Sequence, residues 1–526
     1  YMFSHTTPCR KSEQMYPGLW AANNPDKPAV IMADTEETLS YAELEDRSLR
    51  LANHFRSLGL KPGDHVAMIA ENRMEIIEAY WAALRSGTFI TVVNRHLTVR
   101  ESSYIIHDCD ASIVLISTGL SIAEELNEVC QDIPRRIAMG GTLPGAEEYE
   151  AVLAAASPVR PDYEPRGDDM LYSSGTTGNP KGILPALKDQ PVEHEDIPLV
   201  QLFTQLYGFD QDSVYLSPAP LYHAAPIRFV MTTHSRGGTV VVMPKFDPET
   251  ALSLIDKYQV THSQWVPTMF IRMLKLPQEV RDQYDVSSMK AAIHAAAPCP
   301  VEVKQKMIEW WGPVIHEYYA ATEANGITVL NSEEALAKPG SVGRDGLMGT
   351  AHIVGPDGEE LPAGEIGTIY FEIEEGREPF VYYKDDEKTR GSRHPVHERW
   401  TTTGDLGYLD EDRYLYIVER KSFMIISGGV NIYPQEIENE LALHPDIRDL
   451  AVVGAPDDEL GEIVVAYLEV EDHAQPGDEL AEEIREWLSD KLARYKIPRR
   501  FHFINEVPRT PTGKLVKRKL TETTAV

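Results

Sequence analysis

The stretch Tyr172-Ser-Ser-Gly-Thr-Thr-Gly-Asn-Pro-Lys-Gly182 gathers hydroxyls, glycines and a lysine into eleven residues. Each type has a use beside a phosphate. Gly175 and Gly178 let the backbone come close to phosphate oxygens, Ser173, Ser174, Thr176 and Thr177 can donate hydrogen bonds, and Lys181 adds positive charge. The spacing is not that of the common P-loop. Gly175 is followed by a glycine three positions later, Pro180 precedes Lys181, and Gly182 stands where a Ser/Thr magnesium ligand would be, which disfavours a P-loop NTPase. The alternative for so short a stretch is a hydrophilic surface turn of the same composition.

Outward from the loop, the chain reads as α/β. Apolar residues at helical spacing from Tyr41 end at Gly59, and His65–Ala70 is a buried strand. Met74–Arg85 is a helix closed by Gly87, and Phe89–Val93 is a further strand, so that these segments form a βαβ unit. Short apolar runs at 113–116, 214–216 and 239–243 repeat the theme and favour parallel-rich sheets in a large multi-subdomain body. Between Gly355 and Tyr416 short strands alternate with turn residues, predicting a β-rich subdomain. After Arg420 come a strand over 425–430, a helix over 434–443, strands over 450–454 and 463–470, and a helix over 479–492, the pattern of a small α+β domain. The expected domains are therefore 1–420 and 421–526.

Lys plus Arg number 50 against 82 Asp plus Glu, a formal net charge of −32 that repels nucleic acid and anionic membranes. An anionic substrate then needs a local positive focus. Cys9, Cys109, Cys130 and Cys299 show no metal or disulfide spacing, which fits a reducing cytoplasm. No run approaches the roughly 20 apolar residues of a transmembrane helix, and no export signal is evident.

The loop at 172–182 resembles the signature loop of the adenylate-forming superfamily, which includes acyl- and aryl-CoA synthetases, firefly-type luciferases and peptide-synthetase adenylation domains. Further segments match that family in the same order over nearly the whole chain. Tyr318-Tyr-Ala-Ala-Thr-Glu323 looks like its second nucleotide motif, which implies that Tyr319 stacks on adenine, Thr322 meets phosphate and Glu323 holds magnesium. Ala320 departs from the family's usual glycine. Thr403-Gly-Asp405 and Arg420 resemble the pair that grips the ribose hydroxyls. Ser427-Gly-Gly-Val-Asn-Ile-Tyr-Pro434 looks like the glycine-rich segment of the mobile C-terminal domain, so that Ser427, Gly428 and Gly429 approach the coenzyme A channel; taken alone, Gly428-Gly429 also suits a hairpin turn. Pro511-Thr-Gly-Lys514 resembles the catalytic lysine motif, although Lys514 also begins a basic run with Lys517, Arg518 and Lys519 of the kind usually solvated. Ser422 falls at the family's hinge, followed by Phe423 where an acidic residue is usual.

The resemblance implies an acyl-CoA synthetase: a carboxylic acid and MgATP give acyl-AMP and pyrophosphate, and the acyl group then passes to coenzyme A. It places Lys514, Thr322 and Glu323 among catalytic residues and His223, Ala296 and Ala297 at the acyl pocket. The flanking segments 222–231, 265–274 and 295–297 are apolar, favouring a bulky or medium-length hydrophobic acid and a place in fatty acid and lipid metabolism. Lys491, Arg494, Lys496, Arg499 and Arg500 are candidates for the phosphates of coenzyme A, and a homodimer is one expected assembly. Competing expectations are a carrier-protein acceptor, a luciferase-like oxidation of the adenylate, and a silent nucleotide-binding homologue.

Overall fold

The strands His65–Ile69 and Phe89–Val93 are buried at every position because both faces of their sheet are covered, the environment of parallel strands. The computed structural model describes residues 16–173, 180–194, 197–420, 423–457, 459–510 and 515–521. The chain divides into two compact units. One runs up to Gln264 and includes Tyr284–Lys290; the other comprises Trp265–Gln283 and the chain from Ala291 onward.

In the first unit a six-stranded sheet has the order Glu147–Glu148, Arg135–Met139, Ala111–Ser117, His65–Ile69, Phe89–Val93 and Asp168–Asp169, with every pair parallel. The expected βαβ unit is at its centre. Its helix, Met74–Ser86, ends on Gly87 at φ +77, a left-handed cap that glycine takes without strain. The helix Tyr41–Ser57 begins with a capping box, Ser40 and Glu43 each satisfying the other's backbone N–H. A second sheet runs from Thr38–Ser40 through Pro28–Met32 and Thr239–Val242 to Val214–Ser217, the last three mutually parallel.

In the second unit Ala291–His294 pairs parallel with Ile315–Ala320, and Ile327–Leu330 and Arg344–Met348 extend it antiparallel. The expected β-rich region is a five-stranded antiparallel sheet built from Thr350–Val354, Gly367–Glu372, Asp405–Leu409 and Leu415–Arg420, with Trp400–Thr401 at its side. The expected boundary after Arg420 lies inside this unit. Beyond it the long strands Ile447–Asp457 and Gly461–Val470 pair antiparallel, and Arg500–Phe503 adds parallel to the second. Alternation sets the two faces of this sheet. Leu450 and Val452 face Ile437, Leu441, Ile484 and Leu488 of the helices Pro434–Leu441 and Asp478–Ser489. Ala451, Val453 and Ala455 face Val507 and Leu520. The run over 425–430 opens a hairpin, Ile425–Ser427 with Val430–Ile432, the turn that Gly428-Gly429 suits, because both glycines adopt positive φ, +58 and +81. Two successive left-handed residues make the tight turn that suits a twisted strand pair.

Candidate active site

The strands Leu171–Ser173 and Lys181–Leu184 pair antiparallel, with Ser173 opposite Lys181 and Tyr172 opposite Gly182. The chain thus enters and leaves the expected phosphate loop along one ladder, and the strand after it is not a helix N-terminus as in a P-loop. A Cβ at Gly182 would lie 2.3 Å from Met170 Cε, the flexible end of that side chain, and 3.0 Å from Tyr172 Cζ, so both neighbours would have to shift. Tyr172 is anchored by donating its hydroxyl to Asp108 Oδ2 at 2.7 Å. Ser174, Gly175, Thr176, Thr177 and Gly178 lie outside the described residues, as do Ser422 and Lys514, and so do the side chains of Ser173 and Arg420.

His223 stands at the N-cap of the helix Ala224–Ser235, its ring 4.5 Å from that of Tyr222. The Tyr222 hydroxyl is buried with no hydrogen-bond partner among the described residues. A buried hydroxyl without a partner carries a desolvation cost, which a polar group on a ligand can offset.

In the second unit several of the expected nucleotide residues converge. The Tyr319 hydroxyl donates to Asp405 Oδ2 at 2.7 Å, and Thr403 Oγ1 donates to the same oxygen at 3.2 Å. Asp405 is buried and sits directly opposite Arg420 in the antiparallel ladder. The register sets positions 405 and 420 opposite one another, and aspartate with arginine is the pair of residue types suited to a vicinal diol. The Tyr319 ring lies 6.2 Å from that of Phe371. Ala320 ends its strand in register with Ile327, so alanine in place of glycine leaves the ladder intact.

Glu323 accepts a hydrogen bond at Oε1 from the Tyr382 hydroxyl, at 2.8 Å. The partially exposed carboxylate is the kind of hard oxygen ligand that Mg²⁺ requires, and Tyr382 orients it. Sequence reasoning missed Tyr382 and Phe371; neither carries a local signal beyond being aromatic.

Beneath Tyr319, the same strand carries Glu317, which pairs with Lys304 in the interior. Burial and the Lys304 charge push the His294 pKa well down, so its ring is neutral, and Glu317 Oε1 is 3.8 Å from His294 Nδ1. His294 leads into Ala295, Ala296 and Ala297. Ala296 is exposed at φ +74, a left-handed conformation that costs a non-glycine residue roughly 1–2 kcal/mol. Strain of this kind is stored where the surrounding structure needs the turn. Trp265 and Phe270, by contrast, pack on Trp311 at 5.8 and 6.3 Å and belong to the core.

The glycine-rich segment is the hairpin described above, with Ile426 and Val430 exposed beside Gly428-Gly429. Two of the expected coenzyme A cations are already engaged: Lys491 is 3.5 Å from Glu440, and Lys496 is 2.6 Å from Glu436. Lys517 is not solvated but buried between Glu419 and Glu438. Burial pushes the thiols of Cys109 and Cys299 up to about 12 and that of Cys130 to about 11, and none of the three is in a disulfide.

Residues 19–374 match the AMP-binding enzyme family, and residues 436–514 match the AMP-binding enzyme C-terminal domain. The chain belongs to the AMP-binding enzyme family. Among relatives of this AMP-binding enzyme, a 2-succinylbenzoate–CoA ligase of Bacillus licheniformis is 31% identical, covering 94% of this chain and 97% of the relative. The long-chain-fatty-acid–CoA ligase FadD13 of Mycobacterium tuberculosis is 31% identical over 95% of this chain and 96% of its own. Among solved structures, the o-succinylbenzoate CoA synthetase of Bacillus subtilis with its acyl-adenylate intermediate superposes with a TM-score of 0.79 at 25% identity, over 97% of this chain and 98% of that one.

The Tyr319–Asp405 hydrogen bond yields a first expectation. Tyr319→Phe keeps the ring but removes a donor to a buried carboxylate, a loss of about 1 kcal/mol. KM for ATP should rise about fivefold with kcat nearly unchanged, as steady-state pyrophosphate assays would show; an equal loss of kcat would contradict a purely binding role.

Proposed function

We propose that this enzyme joins a carboxylic acid to coenzyme A at the expense of ATP, by way of an acyl-adenylate. The observation that carries the reading is the Tyr319–Asp405–Arg420 register beside Glu323, on a chain of the AMP-binding family. In the first step a carboxylate oxygen attacks the α-phosphorus, the bond to the bridging oxygen breaks, and pyrophosphate leaves. No base is needed, because the acid is already ionised at neutral pH. Asp405 and Arg420 hold the ribose, Tyr319 the adenine, and Ser173, Ser174, Gly175, Thr176, Thr177, Gly178, Lys181 and Thr322 the phosphates. Glu323 would hold a Mg²⁺ ion, which when bound neutralises phosphate charge. Lys514 stabilises charge at the reacting oxygens.

In the second step the coenzyme A sulfur attacks the acyl carbon, the bond to AMP breaks, and the thiol proton passes to solvent. The reading divides the chain into 1–420 and a C-terminal domain, 421–526, that turns about Ser422 and brings Ser427, Gly428 and Gly429 to the thiol channel. The exposed Ile426 and Val430 support this, since they would be covered there.

The acid proposed is hydrophobic and bulky or of medium length, with His223, Ala296 and Ala297 at its pocket and a place in fatty acid metabolism. The two curated relatives take an aromatic and a long-chain acid by name, which supports that breadth. A cytoplasmic setting suits the free thiols, and assembly as a homodimer completes the proposal; sedimentation velocity tests the latter.

The test is pyrophosphate release across aliphatic and aromatic acids, with and without coenzyme A. Pyrophosphate and AMP formed with a matching thioester are expected for at least one hydrophobic acid. Nucleotide binding with no pyrophosphate from any acid would overturn the proposal.

A further inference from the structure

Lys517 belongs to a basic run, yet it is only 6% exposed. Its Nζ lies 3.1 Å from Glu438 Oε1 and 3.4 Å from Glu419 Oε2, and 5.6 Å from the centre of the Phe423 ring. Glu419 is itself 9% exposed. Taking such charges out of water is expensive, and a buried ion cluster is weak evidence for stability. Its placement gives it another use.

Glu419 is on the strand Leu415–Arg420, beside Arg420, and its ladder partner Leu406 adjoins Asp405. Lys517 follows Leu515 and Val516, which are held to the chain upstream: Leu515 bridges Arg509, and the Val516 N–H donates to Pro508 at 2.8 Å. Arg509 in turn grips both oxygens of Asp449 at 2.6 and 2.7 Å. The segment from Leu515 is therefore tied to the small α+β region, and Lys517 links it to the strand of Arg420. Along the chain Glu419 precedes Ser422, whereas Glu438 and Lys517 both follow it.

We propose that Lys517 is a positioning residue for acyl-adenylate formation, registering the C-terminal segment against the strand of Arg420 through Glu419 and releasing Glu419 for the thiol step. This rests on the two-step reading above. A turn about Ser422 carries Glu438 and Lys517 together and leaves Glu419 behind. The ammonium then keeps one carboxylate throughout, so it is not stranded without a counter-charge, the situation that makes breaking a lone buried pair so costly.

The experiment compares Glu419→Gln, Lys517→Met and the double variant in single-turnover assays of each half-reaction, with thermal unfolding alongside. Glu419→Gln should slow acyl-AMP formation about tenfold, within the range of coupled contacts, and leave thioester formation from supplied acyl-AMP unchanged. The double variant should be no slower in the first step than Lys517→Met alone. Equal loss in both steps, or multiplied losses in the double variant, would overturn the proposal. Should Lys517→Met not fold, the step selectivity of Glu419→Gln decides alone. If the parent enzyme releases no pyrophosphate with any acid, the two-step reading falls and this proposal with it; a parent active in both steps with Glu419→Gln unselective sinks only the role of Lys517.

Discussion

Lys514→Ala should cripple acyl-AMP formation by at least about 10²–10³-fold, the loss seen when one preorganised charge-stabilising donor is removed. Thioester formation from supplied acyl-AMP and coenzyme A should be spared. The selectivity follows from the timing of charge. As the carboxylate approaches the α-phosphate, two anionic groups meet and negative charge shifts onto the leaving pyrophosphate, so that an ammonium placed there acts in the transition state. Once the adenylate exists, the second step displaces AMP by sulfur, and the proposed turn about Ser422 has withdrawn the lysine. A lysine in a merely solvated tail would leave both steps nearly unchanged, and one needed for folding would depress both alike. Single-turnover measurement of each half-reaction, with thermal unfolding as the control, separates the three cases.

Glu323→Gln is expected to lower pyrophosphate release at least about 100-fold and to shift the magnesium optimum upward, with no change in thermal midpoint. The substitution removes the charge and one hard oxygen while keeping the shape, and Glu323 is partially exposed, so the change leaves no charge stranded in the core. The structure adds a companion that the motif alone does not suggest. Tyr382 donates to Glu323 Oε1, and partners of metal-holding carboxylates matter for metal affinity by about 10–100-fold. Tyr382→Phe should therefore produce a weaker version of the same magnesium-dependent defect. A magnesium titration of the three proteins checks this; a Glu323→Gln enzyme with the parent's magnesium dependence would reject the metal role.

What was legible in the sequence was chemistry carried by neighbours along the chain. The Gly87 cap, the paired glycines at 428–429 and the βαβ unit around His65 all depend on residues a few positions apart. Tyr382 meets Glu323 across 59 positions and Lys517 meets Glu419 across 98, and no local pattern encodes such pairings. Lys517 shows the cost of reading a charge run by composition: the same residues suit solvent and a buried cluster, and only the arrival of Glu419 and Glu438 decides between them. The break between compact units at Gln264 was equally hidden, because it interrupts no apolar pattern and carries no linker composition.

The ladder that flanks the proposed phosphate loop also bears on how that stretch can change over time. The two strands meet with Ser173 opposite Lys181, and that pairing sets which face each residue presents. A one-residue slip in the pairing would disturb that arrangement, since strand side chains alternate and Lys181 would exchange faces with Gly182. A side chain at 182 would also displace Met170 and Tyr172, whose ends occupy the space there. The parity of the strands is thus fixed, and homologous loops of this type should keep their lysine at one position of the ladder.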